Sequence, residues 1–249
     1  MFLRSLIFYF LLGVGVVLIV PLLLISPALP GTRRNSAMAR WSKGVMVMLR
    51  VVCGVKHEVV GTENIPPQNG IILSKHQSAW ETFALQFIFP AQIWVLKREL
   101  LWIPIFGWGL KVMGAIAIDR KGGKKALMQV IHQGTDRLKR GLWVVIFPEG
   151  TRTPPGTRRR FSIGGAMLAA RSGYPVVPVA HNAGEFWTSK GFIIKPGTVK
   201  VIIGPVLTTT GLKASEINEQ VEQWIEEQMQ TLSLESQQVK LKSSLEAEA

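Results

Sequence analysis

The chain has 249 residues, 47% of them hydrophobic, with 29 Lys and Arg against 16 Asp and Glu, a formal charge of +13 and one cysteine, Cys53. That apolar fraction excludes a disordered chain, and a single thiol excludes an intramolecular disulfide framework or a multi-thiolate zinc site. A mean hydropathy of +0.25 beside so much basic charge points to an anionic membrane surface, because basic soluble chains usually gain charge by losing apolar residues.

The first feature in chain order is a run of 28 residues without charge, Ser5 to Thr32, between Arg4 and Arg33. About 20 such residues in a helix cross a bilayer core, so a transmembrane helix is predicted, with Pro21 kinking it or marking its end. A cleaved signal peptide is the alternative, since Ser26-Pro27-Ala28 is a small-x-small site; against it, the run is long for an h-region and only Arg4 precedes it. Arg33, Arg34, Arg40 and Lys43 follow the span, and the positive-inside bias therefore leaves the remainder of the chain in the cytosol.

Residues 36–52 read as an amphipathic helix. Ser36, Arg40, Lys43 and Arg50 fall on one side, and Met38, Trp41, Val45, Met48, Leu49 and Val52 on the other, with Val47 and Val51 as exceptions. Next to a membrane span, this face is expected at the headgroup boundary; packing on the core is the alternative.

From about residue 55 short β-rich runs alternate with helical stretches. Strands are predicted at His57–Gly61, Gly70–Ser74, Gln92–Lys97, Ile116–Ile118, Leu142–Phe147, Val176–Val179 and Val199–Ile203. Helices are predicted at Ser78–Phe89, Pro104–Val112, Gly122–Arg140, Gly165–Arg171 and Ser215–Leu232. The alternation implies an α/β fold with a mixed sheet flanked by helices. Residues 216–249 carry a charge of −6, which leaves +19 on the rest, so the tail is read as a solvated acidic helix with a polar end, or else a partner site. The expected organisation is membrane-anchoring helices over 1–54, an α/β domain over 55–214 and an acidic helix with its tail over 215–249.

Two segments could carry chemistry. His76 ends the hydrophobic strand Ile71-Ile72-Leu73-Ser74 and precedes a helix, where an α/β fold exposes side chains above its sheet. Within one helix Glu81 would point away from it; with His76 in the preceding turn, Glu81 can reach back, fix the tautomer and leave the other ring nitrogen as general base. The plainer reading is that Ser78-Ala79-Trp80-Glu81 is a capping box. The second segment, Phe147-Pro148-Glu149-Gly150-Thr151-Arg152, follows a strand and can present a hydroxyl, backbone N–H groups and a guanidinium to an anion.

His76-Gln77-Ser78-Ala79-Trp80-Glu81 resembles the H-x4-D block of the glycerolipid acyltransferase family, and Phe147–Arg152 resembles its F-P-E-G-T-R block. Lys97-Arg98-Glu99-Leu100 is similar to the K-x-E-L segment, Gly114–Arg120 to the G-x-x-x-x-D-R block, and Val177-Pro178-Val179 to the late V-P-V strand. Glu81 stands where the family usually has Asp. The resemblance implies transfer of a fatty acyl group from acyl-CoA or acyl-carrier protein to the sn-2 hydroxyl of a lysophosphatidic acid, a membrane phospholipid acceptor. It also implies His76 and Glu81 as catalytic residues, Lys97, Arg120, Glu149, Gly150, Thr151 and Arg152 as substrate-binding residues, and no metal or cofactor beyond the thioester donor. The expected location is a bacterial inner membrane, with the catalytic domain on the cytosolic face against anionic lipid.

Other acceptors, glycerol 3-phosphate among them, remain open within the family. Outside it, Arg158-Arg159-Arg160 suggests nucleic-acid binding, but no helix-turn-helix, zinc-finger or RNA-recognition pattern accompanies the charge. A serine hydrolase lacks its G-x-S-x-G, and a metal hydrolase its closely spaced histidines, since His57, His76, His132 and His181 lie far apart.

Overall fold

The computed structural model describes residues 1–24 and 31–248, and side-chain surroundings for 1–24 and 34–238. Ser26-Pro27-Ala28 lies outside the described residues. The first half of the chain forms α1 (Phe2–Leu24), α2 (Gly31–Met48), a π-helical turn at Leu49–Cys53, β1 (Val55–Val60), β2 (Ile71–Ser74), α3 (Trp80–Ile88), β3 (Gln92–Lys97) and α4 (Phe106–Val112). There follow β4 (Ile116–Ile118), α5 (Lys124–Lys139), β5 (Trp143–Ile146), α6 (Gly164–Ser172), β6 (Val176–His181), β7 (Gly197–Ile203) and α7 (Ala214–Glu248).

The seven strands make one mixed sheet in the order β1-β7-β6-β2-β5-β3-β4. From β6 to β4 all neighbours run parallel; β7 is antiparallel to β6, and β1 is parallel to β7. A strand covered on both faces needs apolar side chains at every position, and β2, β5 and β6 are buried throughout. In β2, Ile72 joins one core with Trp80, Ala84 and Leu85 of α3. Ile71 and Leu73 join the opposite core, with residues of α5, α6 and α7. The result is a three-layer sandwich. At the crossing of α5 and α6 the backbones come close: a Cβ on Gly134 would stand 2.5 Å from Leu168 Cδ2.

The apolar helix α1 has 23 residues and a mean hydropathy of 2.8, long and apolar enough to cross a membrane by composition. It continues through Pro21 to Leu24. One face docks on the α/β body, with Ser5, Phe8, Val20 and Leu23 buried. Ser5 Oγ accepts from the Ile194 N–H at 2.9 Å, and Trp187 Nε1 donates to Tyr9 Oη at 2.9 Å. The other face exposes Leu3, Ile7, Phe10, Val14, Val17 and Leu18, spaced three and four apart.

The amphipathic reading of 36–52 identifies the two faces but misplaces the apolar one. Val45, Met46 and Leu49 are buried in the first core, and Trp41 meets Phe83 of α3 edge-on at 5.5 Å. The face expected at the headgroup boundary is thus a packing face, because α3 offers an apolar surface to it. What α2 and the following turn present outward is Arg40, Lys43 and Arg50, with Val47 and Val51.

The solvated-helix expectation for the tail is likewise corrected. The helix runs to Glu248 rather than ending at Leu232, and Ile217, Val221, Ile225 and Leu232 are buried in the second core against α6 and β6. Acidic residues dominate its composition, yet their spacing leaves a continuous apolar stripe. Ile225 is fully buried, so Ile225→Ala is expected to cost about 2–5 kcal/mol and to lower the thermal midpoint in detergent. A midpoint equal to that of the parent would show that α7 is not part of the core.

Candidate active site

The parallel strands β2, β3, β4, β5 and β6 deliver their carboxyl ends to one edge of the sheet, which is where open α/β sheets bind ligands. His76 lies two residues beyond β2, and Glu81 is the second residue of α3. Glu81 therefore reaches back across the turn, and its Oε1 accepts from His76 Nδ1 at 2.8 Å. The same oxygen accepts from the Gln77 N–H at 3.0 Å and the Ser78 N–H at 2.9 Å. The capping and pairing roles are thus not exclusive: one carboxylate closes the helix start and holds the imidazole. Burial opposes the charge on Glu81, but His76 and the Ser78 N–H hold its carboxyl below the ordinary range.

The second segment completes the ring's surroundings. Phe147 stacks on the His76 imidazole at 4.1 Å and 14°, fixing the plane in which the remaining nitrogen points. Behind it, the Thr153 N–H donates to the His76 carbonyl at 2.8 Å, and Thr153 Oγ1 hydrogen-bonds Glu149 Oε2. Glu149 Oε1 lies 2.8 Å from Nζ of Lys75, a lysine whose side chain is 2% exposed. Burial pushes the Glu149 carboxyl up, with Lys75 pulling against it. Gly150 has φ of +71°, a left-handed conformation that side chains resist, and its carbonyl accepts from Arg120 Nη1.

His76, Glu81 and Glu149 are thus linked through the turn after β2, and Arg120 is tied to Gly150. Lys97, half-exposed at the end of β3, pairs with Glu99 at 3.4 Å. Thr151 and Arg152 are exposed on the loop after β5. Beside Phe147, a cavity of about 570 Å³ is lined by Val95, Ile118, Leu127, Val130 and Ile146, with Arg120, Lys124 and Arg159 also on its wall. Among the described residues, no group of three or more His, Cys, Asp or Glu side chains could hold a metal ion.

Comparison with known proteins fits this arrangement. The family model described as Acyltransferase matches residues 56–182. The 1-acyl-sn-glycerol-3-phosphate acyltransferase of Pseudomonas aeruginosa is 44% identical over 241 residues, 95% of this chain and 94% of that one. The chain belongs to the acyltransferase family. The human 1-acyl-sn-glycerol-3-phosphate acyltransferase alpha is 28% identical over 74% of this chain and 66% of its own. The crystal structure of the 1-acyl-sn-glycerophosphate (LPA) acyltransferase PlsC from Thermotoga maritima superposes with a TM-score of 0.78, covering 93% of this chain and 95% of that one at 25% identity.

Several neighbours of His76 and Glu81 are absent from the motif reading. Phe147 was legible as the first letter of its block, though not as a ring partner. Lys75 carried a signal, a lysine directly after an apolar strand and before His76. His181 ends β6, and its Nε2–H donates to the Lys75 carbonyl at 2.9 Å while Nδ1 accepts from the Ala183 N–H at 3.3 Å. Those bonds specify the neutral ring, and burial lowers its pKa from 6.5.

A histidine whose folded pKa is depressed binds fewer protons than in the unfolded chain, so its stabilising contribution is whole above about pH 6.5 and is lost on acidification. Thermal midpoints taken from neutral pH down to about 5.5 should fall less steeply for His181→Asn than for the parent. The residual slope includes His57, also lowered by burial. Equal slopes would show that His181 is not the buried neutral group.

Proposed function

We propose that this acyltransferase moves a fatty acyl group from an acyl-CoA or acyl-carrier-protein thioester to the sn-2 hydroxyl of lysophosphatidic acid, forming phosphatidic acid for phospholipid synthesis. The carrying observation is the His76–Glu81 pair at 2.8 Å, ending an α/β sheet beside a loop that bears Thr151 and Arg152. The names of the Pseudomonas and Thermotoga relatives support the choice of acceptor.

With Nδ1 bound to Glu81, Nε2 is the atom that accepts the proton of the acceptor hydroxyl. The oxygen attacks the thioester carbonyl carbon, the C–S bond breaks as the tetrahedral intermediate collapses, and the departing sulfur takes the proton from the imidazolium. Glu81 stabilises that cation and orients the ring. The thioester is already an activated acyl group, so the reading needs neither an enzyme nucleophile nor a metal or cofactor. Lys97 and Arg152 are the phosphate ligands in this reading, with Glu149, Gly150 and Thr151 forming the loop that receives the headgroup and Arg120 bonded to it at the Gly150 carbonyl.

The site operates at the cytosolic face of a bacterial inner membrane, where a lysophospholipid arrives by lateral diffusion. The exposed apolar face of α1 supports membrane attachment, and Trp102, Ile103, Phe106 and Trp108 around α4, which packs on α1, extend it. One face of α1 docks on the α/β body and the other is left to lipid, and anionic lipid attracts the basic chain at roughly 1 kcal/mol per cation near the surface.

His76→Ala is expected to lower kcat on the order of 100- to 10,000-fold while the protein still folds. Arg152→Ala is expected to raise the KM for lysophosphatidic acid by about tenfold and to leave the donor KM unchanged. Thiol release from acyl-CoA, measured against each substrate in turn, checks both. Full turnover by the His76 variant, or an unchanged acceptor KM in the Arg152 variant, would count against the assignment.

A further inference from the structure

Next to His76 in the chain is Lys75, and its two carboxylate partners come from segments far apart in sequence. Glu149 belongs to the loop after β5; Glu226 belongs to α7, 151 residues from Lys75, and accepts from Nζ at 3.0 Å. Glu226 lies outside the segment 56–182 that the family model matches. One turn earlier on the same face of α7, Glu222 Oε2 accepts from the Phe161 N–H at 3.1 Å, and its Oε1 lies 3.5 Å from Arg158 Nη2. The C-terminal helix thus meets the 149–161 loop directly at Arg158 and Phe161 and reaches its other end, Glu149, through Lys75.

We propose that Glu226 and Lys75 are positioning residues for acyl transfer, through which α7 holds the Glu149–Thr153 loop and the His76 backbone in working register. The chain of contacts is continuous: Glu226 to Lys75, Lys75 to Glu149, Glu149 to Thr153, and Thr153 to the His76 carbonyl. Lys75 is also held from the other side, because its own carbonyl accepts from His181. With its side chain 2% exposed it does not meet substrate; its part is to bind two carboxylates in a site too dry to leave either alone. If Glu226 loses its charge, Lys75 is drawn wholly to Glu149, and the loop that bears Gly150, Thr151 and Arg152 shifts with it. Small displacements at this point are costly, since misplacement by about 1 Å can lower a rate on the order of 100-fold.

This inference rests on the reading of His76 and of the 149–152 loop given above, and the test separates the two. The full chain in detergent is compared as parent, Glu226→Gln, Lys75→Met and Lys75→Arg, with lysophosphatidic acid and acyl-CoA as substrates. Glu226→Gln is expected to lower kcat/KM for the acceptor by about tenfold, with the donor KM and thermal midpoint close to the parent's. Lys75→Met is expected to lose more, and Lys75→Arg to recover most of it, because a guanidinium can still join both carboxylates. Amide exchange at Thr153, whose N–H donates to His76, should quicken in Glu226→Gln.

Parental kinetics in Glu226→Gln overturn the proposal, as does an activity loss that merely tracks the thermal midpoint. If Lys75→Met fails to fold, the Glu226→Gln result decides. A parent inactive on lysophosphatidic acid defeats the proposed function instead, and exchange at Thr153 then still decides whether α7 grips the turn: unaltered exchange in Glu226→Gln means that it does not.

Discussion

One buried carboxylate sets the conditions for everything around it. Glu81 is fully buried, and a bare charge there would be too costly to keep. It stays ionised because Oε1 gathers three N–H donors, two from the turn backbone and one from His76. The turn after β2 therefore cannot relax without exposing an unsatisfied charge. The imidazole inherits this rigidity, and Phe147 stacked on its face removes most of the freedom that is left. The extra methylene that distinguishes Glu81 from the aspartate usual in this family lets the carboxylate span from the first turn of α3 to the 77 and 78 amides.

The sheet explains why the second segment meets the first. β2 and β5 are hydrogen-bonded parallel neighbours, with Leu73 opposite Ile146, so the turn that follows each emerges at the same height. Residues more than 70 positions apart are thereby placed within ring-stacking distance without a loop having to search for them. The layers also divide the work: α1, α2 and α3 cover one face, whereas α5, α6 and α7 cover the other, and α7 sends Glu222 to the loop after β5.

Much of this was legible from the residues. β3 and β4 match their predicted bounds, because Gln92–Lys97 and Ile116–Ile118 are short apolar runs closed by charge or turn residues. His76 and Glu81 were legible as a pair, since a turn at residues 77 and 78 was needed to bring them together. What the residues hid was which partner an apolar face would choose. Trp41 and Val45 read equally as lipid-facing or core-facing, and only the presence of Phe83 on α3 decides. The acidic composition of α7 masked Ile217, Val221 and Ile225 at four-residue spacing, and with them the contact from Glu226 to Lys75. Long-range ion pairs leave no local pattern, so that contact could not be read from spacing alone.

The separation of Glu226 from Lys75 also bears on how the protein is made. Synthesis proceeds from the amino end, and β2, α3 and the turn that bears His76 emerge from the ribosome long before α7 exists. β1, at the edge of the sheet, waits for its partner β7 at residues 197–203, so both its edges are open in a nascent chain until then. Even after the sheet closes, Lys75 still has only one of its two counter-charges. α7 completes both the cover over that face of the sheet and the charge balance beneath His76, so the fold is finished by a helix that lies beyond every strand of the sheet rather than by closure of the central strands.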